Sequence, residues 1–239
     1  MSELFSIQLQ NRQQQGRDGV WLDLPTTTEQ VQAALRQIGI SSDNPQGLFI
    51  SGYFAEEEKR FAIPYNMVLA SNVDELNFLA SRLETLSTGE RAELNAALQA
   101  PQSELFSIGR ITDFPENVDY YVHLPDVHGP AQLGDYYLNR SGMVDMPEEW
   151  KGGIDTAQFG RYVAQQEQGV FTEYGYLVKS GDAWQKVHEG QPVPEEYRVL
   201  SFPAPEVLRD SANIPPPVQP ETEPQKVIPI ILNGKDSAE

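Results

Sequence analysis

Hydrophobic and polar residues alternate along residues 4–10 (LFSIQLQ) and again along Val20 to Leu24 (VWLDL), with a polar, glycine-containing stretch at 11–19 between them. A period of two puts every second side chain on one face of a strand, so this pattern predicts a hairpin. At Thr26-Thr27-Thr28-Glu29 the period lengthens. A Thr26 hydroxyl there can accept the amide of the third helical residue while Glu29 reaches back, a capping box, and Val31, Ala34, Leu35 and Ile38 form the apolar face of the helix that follows. Gly39 and the Ser41 to Pro45 cluster end that helix, and Gly47 to Phe54 predicts a third strand. The first unit reads as ββαβ and ends near Pro64.

From Ser71 the pattern is helical. Asn72 or Ser71 can cap, Asp74 and Glu75 sit at the positive end of the helix dipole, and Leu76, Leu79, Leu83 and Leu86 form one stripe. A second helix, with Thr88 as cap, carries Leu94, Ala97 and Leu98 inward before Pro101. Further on, residues 118–124 (VDYYVHL) predict a strand, Leu133 to Arg140 a short helix closed by Gly142, and Pro147 to Trp150 one helical turn. Asp155 caps a helix carrying Phe159, Tyr162 and Val163 that Gly169 breaks, and Val170 to Lys179 alternates as a final strand. The reading is an α+β protein with an N-terminal α+β domain at 1–66, a helical middle domain at 67–112, and an α+β C-terminal domain at 113–188. From 189 to 239 prolines crowd a polar setting, which predicts an extended, mostly disordered tail interrupted by an apolar patch at 227–232 (VIPIIL).

Charge changes this picture from a fold to a class of partner. The chain carries 35 Asp and Glu against 17 Lys and Arg, a net charge of -18. Its arginines and lysines form no stripe, so direct nucleic-acid binding is not expected, and the aromatics are assigned to packing. A surface this acidic is attracted to the basic surfaces that hold phosphate backbones. There are no cysteines, which excludes disulfides, thiolate-ligated metal and thiol nucleophiles. No signal-like or membrane-length apolar run occurs, so a cytoplasmic protein without a membrane segment is expected. His123, His128 and His188 share no metal-ligand spacing, and no nucleophile elbow, phosphate loop or dinucleotide fingerprint is found. No cofactor, metal or enzymatic activity is expected.

Four collinear stretches carry a resemblance. They are VWLDLPTTTEQVQAALRQIGI followed by GLFISGYF, then DELNFLASRL at 74–83, then LGDYYL at 133–138, and finally IDTAQFGR at 154–161 with GVFTEYGY at 169–176. In this order they resemble the ArdA antirestriction family over about residues 4–178. The resemblance implies a homodimer whose surface carboxylates imitate DNA phosphates and occupy the DNA-binding groove of a type I restriction-modification enzyme, in its methyltransferase and specificity core. It also implies carriage on mobile genetic elements. Residues 1–178 hold 25 acids and 11 bases. Two copies at -18 each, matched against one charge per roughly 1.7 Å of duplex axis, would cover on the order of 60 Å of DNA if the excess lay on one face.

The acids assigned to the mimicking surface are Glu56, Glu57, Glu58, Asp74, Glu75, Glu84, Glu90, Glu93, Asp113, Glu116, Asp119, Asp126, Asp135, Asp145, Glu148, Glu149, Asp155 and Glu173. The plainer reading of each alone is a solvated surface acid, because mimicry is collective. Leu133, Tyr136, Tyr137 and Leu138 match the family's antirestriction and dimer-contact segment, with core packing as their other reading. The chain departs from the family pattern in carrying Leu138-Asn139-Arg140 after Tyr137 and Tyr162 after Arg161, where the family is richer in acids. A competing reading is an acidic adaptor that binds another basic protein through its surface or its proline-rich tail.

Overall fold

The computed structural model describes residues 3–14, 18–56 and 60–205. The apolar patch at 227–232 and the greater part of the proline-rich tail lie outside the described residues.

The opening alternation builds a three-stranded antiparallel sheet in the order β2-β1-β3, from β1 (Phe5–Asn11), β2 (Val20–Leu24) and β3 (Leu48–Phe54). Its register places Phe5 opposite Leu24 and Ile7 opposite Leu22, so those four residues share the buried face with Leu9 and Ile50. A register shift between Gln8 and Leu9 breaks the pairing with β3 without turning the apolar row outward. Helix α1 (Thr28–Gln37) lies against that face through Val31, Ala34 and Leu35. Its N-cap is Thr27, one residue later than expected, and Gln30 rather than Glu29 completes the capping box. Thr26 is buried instead. Its amide donates to Asn77 Oδ1 at 2.7 Å, tying the sheet to the helices that follow.

Those helices are α2 (Tyr65–Ala70), α3 (Val73–Glu84), α4 (Thr88–Gln99) and α5 (Ile108–Thr112). Asn72 caps α3 with Glu75, and Ser87, not Thr88, caps α4 with Glu90. Both short helices escape the hydrophobic pattern: α2 follows Pro64 with no side-chain cap, and it buries Val68 alone. The α3 stripe Leu76, Leu79 and Leu83, with Leu86 just beyond the helix, joins the same apolar cluster as the first sheet, and so do Tyr121 and Leu177 further along the chain.

The second sheet, β4-β6-β5, comprises β4 (Tyr121–Leu124), β5 (Val170–Thr172) and β6 (Gly175–Lys179). The strand expected at 118–124 is a 3₁₀ turn until Tyr120, and the single strand expected at 170–179 is a hairpin turning at Glu173-Tyr174. Alternation runs through both arms of a tight hairpin, so a period of two cannot reveal the turn. Helix α6 (Pro130–Asp135) continues as a π turn over Tyr136–Arg140, α7 (Glu148–Lys151) is one turn long, and α8 (Thr156–Glu167) is capped by Asp155 as expected. It stops at Gln168, in the left-handed region at φ 56°, one residue before Gly169.

Residues 188–205, which composition places largely in the tail, form an ordered strap. Asp113 Oδ1 and Oδ2 accept the amides of His188 and Glu189 at 2.6 and 3.2 Å. Asp74 Oδ1 accepts those of Val199 and Leu200, both at 2.7 Å, and Asn77 Nδ2 donates to the Tyr197 carbonyl at 3.0 Å. Val199 is buried in the shared core, and the Ser42 amide donates to the Pro203 carbonyl at 2.9 Å. Prolines do not prevent this packing, because the strap is held at scattered points rather than by a ladder that needs every amide.

Candidate acidic interaction surface

The sequence-assigned acids separate into three groups by what their carboxylates touch. Glu57 and Glu58 lie outside the described residues. Asp119, Asp126, Asp145 and Glu149 are exposed, as are Glu56 just after β3 and Glu173, whose Oε1 accepts from Gln99 Nε2. Asp155 and Glu148 are exposed too, but each is engaged locally. Asp155 Oδ1 accepts the amides of Ala157 and Gln158, and Glu148 pairs with Lys151 at 2.6 Å. Glu75 and Glu90 serve their capping boxes, and Glu84 is half-buried on α3. Asp135 pairs with Arg140 at 2.7 Å beside an Asn139 contact, so the basic residue that departs from the family pattern neutralises an acid of the LGDYY segment.

A second group has structural duties that remove it from the surface. Asp113 is fully buried and holds the strap, Asp74 does the same on α3, and Glu116 pairs with Arg82 across the helices. Composition alone cannot separate such acids from solvated ones. The distinguishing feature is which backbone amides arrive next to them from residues 75 and 125 positions away.

Glu93 stands apart. It is half-buried on α4, its Oε1 has no hydrogen-bond partner among the described residues, and burial with the nearby Glu90 and Asp119 charges pushes its pKa up to about 8. At neutral pH it is protonated and adds no charge to the surface. An acid whose folded pKa lies above its unfolded value stabilises the fold fully below the unfolded pKa, and that contribution is lost as pH rises through the folded one. Thermal melts of Glu93→Gln are therefore expected to match the parent near pH 4.5 and to exceed it increasingly up to pH 8. Equal melting temperatures at pH 8 would sink this assignment.

The sequence-assigned set also omits acids that meet solvent. Asp18, Asp23, Glu29 and Asp43 of the N-terminal unit, Asp182 just before the strap, and Glu195 and Glu196 within it are all exposed. The signal was available for Asp23, which alternates with Leu22 and Leu24 on β2 and so must point away from the core. Among the described residues 27 acids face 12 Lys and Arg, a formal net charge of -15 on the folded part of the chain with Glu93 counted as ionised. Several cations are engaged internally: Arg110, 8% exposed, bridges Glu104 and Glu189 at 3.1 and 2.8 Å beneath the Trp184 and Phe106 rings.

The LGDYY segment is mostly inside. Leu133 and Leu138 are buried, Leu133 in a small cluster with Val127 and Tyr176, while Tyr136 and Tyr137 are half-buried and meet edge to face at 5.5 Å. Tyr137 and Tyr176 both donate to Glu167 of α8, and burial beside that carboxylate holds both phenols protonated, their pKa values raised. The segment is positioned by a backbone contact between helices. A Cβ at Gly134 of α6 would stand 1.9 Å from the Thr156 carbonyl oxygen, and one at Gly160 of α8 would stand 1.8 Å from that of Pro130. Gly134 belongs to LGDYYL and Gly160 to IDTAQFGR, so two separate sequence stretches meet where only glycine fits.

Residues 15–178 match the family model described as antirestriction protein (ArdA). The chain belongs to the ArdA family. The match begins after β1, takes in β2, β3, helices α1 to α8 and the α6–α8 contact, and ends before the strap. Antirestriction is the function that ArdA membership implies, with restriction-modification enzymes as the class of partner. A comparison with curated proteins finds no match. Among the described residues no three His, Asp or Glu side chains are grouped to hold a metal ion, and no helix is long and apolar enough to cross a membrane. His123 Nε2 lies 2.7 Å from the Tyr174 carbonyl, and His188 packs edge-on against Phe78 at 4.9 Å.

Proposed function

We propose that this ArdA-family chain acts as a DNA mimic, a homodimer that binds the methyltransferase and specificity core of a type I restriction-modification enzyme and fills its DNA-binding groove. The observation that carries the reading is the formal net charge of -15 on the folded part of a family member, with more than half of its carboxylates exposed. Phosphates of a duplex lose freedom when a protein fixes them, whereas carboxylates carried on a folded backbone are already partly positioned, so the ordering cost of binding is lower. Asp113 and Asp74, assigned to the surface by sequence, enter this reading as scaffold, and Glu93 as a neutral group.

The test is a competition titration. Purified type I methyltransferase is bound to labelled duplex, the protein is added at several salt concentrations, and release of the duplex is followed. Near-stoichiometric displacement that weakens as salt rises is the expected result. A duplex that stays bound at every salt concentration overturns the proposal.

A further inference from the structure

The outward face of the first sheet carries two aromatic rings that the fold does not use. Trp21 and Phe54 are 49% and 58% exposed, yet they contact each other edge to face with centroids 6.4 Å apart. Trp21 is opposite Gln8 of β1, which in turn is opposite Gly52 of β3. A Cβ at Gly52 would stand 3.0 Å from the far tip of the indole, so the ring reaches across the central strand and rests on the backbone of the third. One edge of the ring is thereby fixed on the sheet, and much of its surface faces water.

Asp23 completes the arrangement. It follows Trp21 by two residues on the same strand, which puts both side chains on one face about 7 Å apart along the strand. Across the sheet Asp23 is opposite Ser6, and Ser6 is opposite Phe54, so carboxylate and both rings surround one patch. Ser6 Oγ donates to Asp23 Oδ1 at 2.6 Å, which orients the carboxylate. Asp23 makes no ion pair among the described residues. Arg12, at the other end of the sheet, is occupied over the Phe49 ring at 5.2 Å. A planar aromatic face beside an oriented carboxylate matches guanidinium, which stacks on rings and pairs with carboxylates through two parallel hydrogen bonds.

We infer that the Trp21–Asp23–Phe54 face is a receptor for an arginine side chain presented by the basic surface of the partner protein. The inference rests on the DNA-mimic reading and gives it an anchor of a different kind, because arginine is over-represented where phosphate is recognised through paired hydrogen bonds. Ring stacking survives salt better than charge pairing does, so this face supplies affinity where screening weakens the carboxylate field.

The same displacement titration, run with the full chain, tests it. Trp21→Ala is expected to require about tenfold more protein for half displacement at every salt concentration, by loss of a stacked hot-spot contact. Trp21→Phe should stay within about twofold of the parent. Asp23→Asn should lose at low salt and converge on the parent at high salt. All three side chains are exposed, so melting temperatures within a degree or two of the parent will show that the fold is intact. If Trp21→Ala displaces duplex as the parent does, this inference fails alone. If the parent releases no duplex, the DNA-mimic reading and this inference fail together. A change in oligomeric state on size exclusion with Trp21→Ala would overturn it in a third way, by showing a second copy of the chain on this face.

Discussion

Replacing Gly160 by alanine is expected to lower the melting temperature by roughly 6–12 °C, the equivalent of about 3 kcal/mol in a chain of this size. The added Cβ would lie 1.8 Å from the Pro130 carbonyl oxygen and 2.7 Å from the Gly134 amide nitrogen, both backbone atoms that no rotamer change can move aside. Helices α6 and α8 must separate, which disturbs the Leu133 cluster and the two tyrosines held by Glu167. Gly89 of α4 is the matched control: nothing lies within 4 Å of its missing Cβ, so Gly89→Ala should leave stability unchanged or raise it by about 0.5–1 kcal/mol. Differential scanning calorimetry on the two variants decides the matter. A Gly160→Ala protein that melts with the parent would show that the two helices do not meet as described.

Truncation separates the strap from the tail. A chain ending at Pro205 keeps Val199 in the core and every hydrogen bond to Asp74, Asn77 and Asp113. It is expected to melt with the parent and to inhibit restriction. A chain ending at Glu189 loses Val199, strips the Tyr197 ring from Phe78 at 4.7 Å, and leaves Asp74 and Asn77 without their strap partners. Buried hydrogen bonds of this kind contribute about 1 kcal/mol each and a buried valine about 1.5–3 kcal/mol. The entropy regained by freeing the strap offsets part of that, so a drop of roughly 10 °C is the expected result. This distinction matters for the adaptor reading. Loss of inhibition on removing residues 190–239 reports unfolding as well as a missing docking segment, whereas loss on removing 206–239 alone would favour the adaptor.

Much of the fold was legible because it is local. The hairpin, α1, α3 and α4 announce themselves by period and by Thr, Asn and Ser caps with Glu or Gln three residues on, and the structure moves two of those caps by a single residue. Runs of Thr26-Thr27-Thr28 or Ser87-Thr88 offer equivalent hydroxyls, and only the backbone angle of the chosen residue decides between them. Helices α2 and α5 were not legible, since five or six residues hold too few turns to show a stripe.

The acidic surface divides differently. By itself the sequence determined that the chain is a strongly acidic α+β protein of the ArdA family, since net charge, periodicity and collinear motifs need no third dimension. Which carboxylates meet solvent was decided only by the tertiary structure. Asp113 is buried because the amides of His188 and Glu189 arrive from 75 and 76 residues away, and Glu93 is neutral because α4 packs its side chain out of water beside Glu90 and Asp119. Trp21 and Asp23 become a single site because β-sheet register sets them against Ser6, Gly52 and Phe54. A side chain's charge is written in the sequence, but its solvation depends on neighbours that only folding brings together.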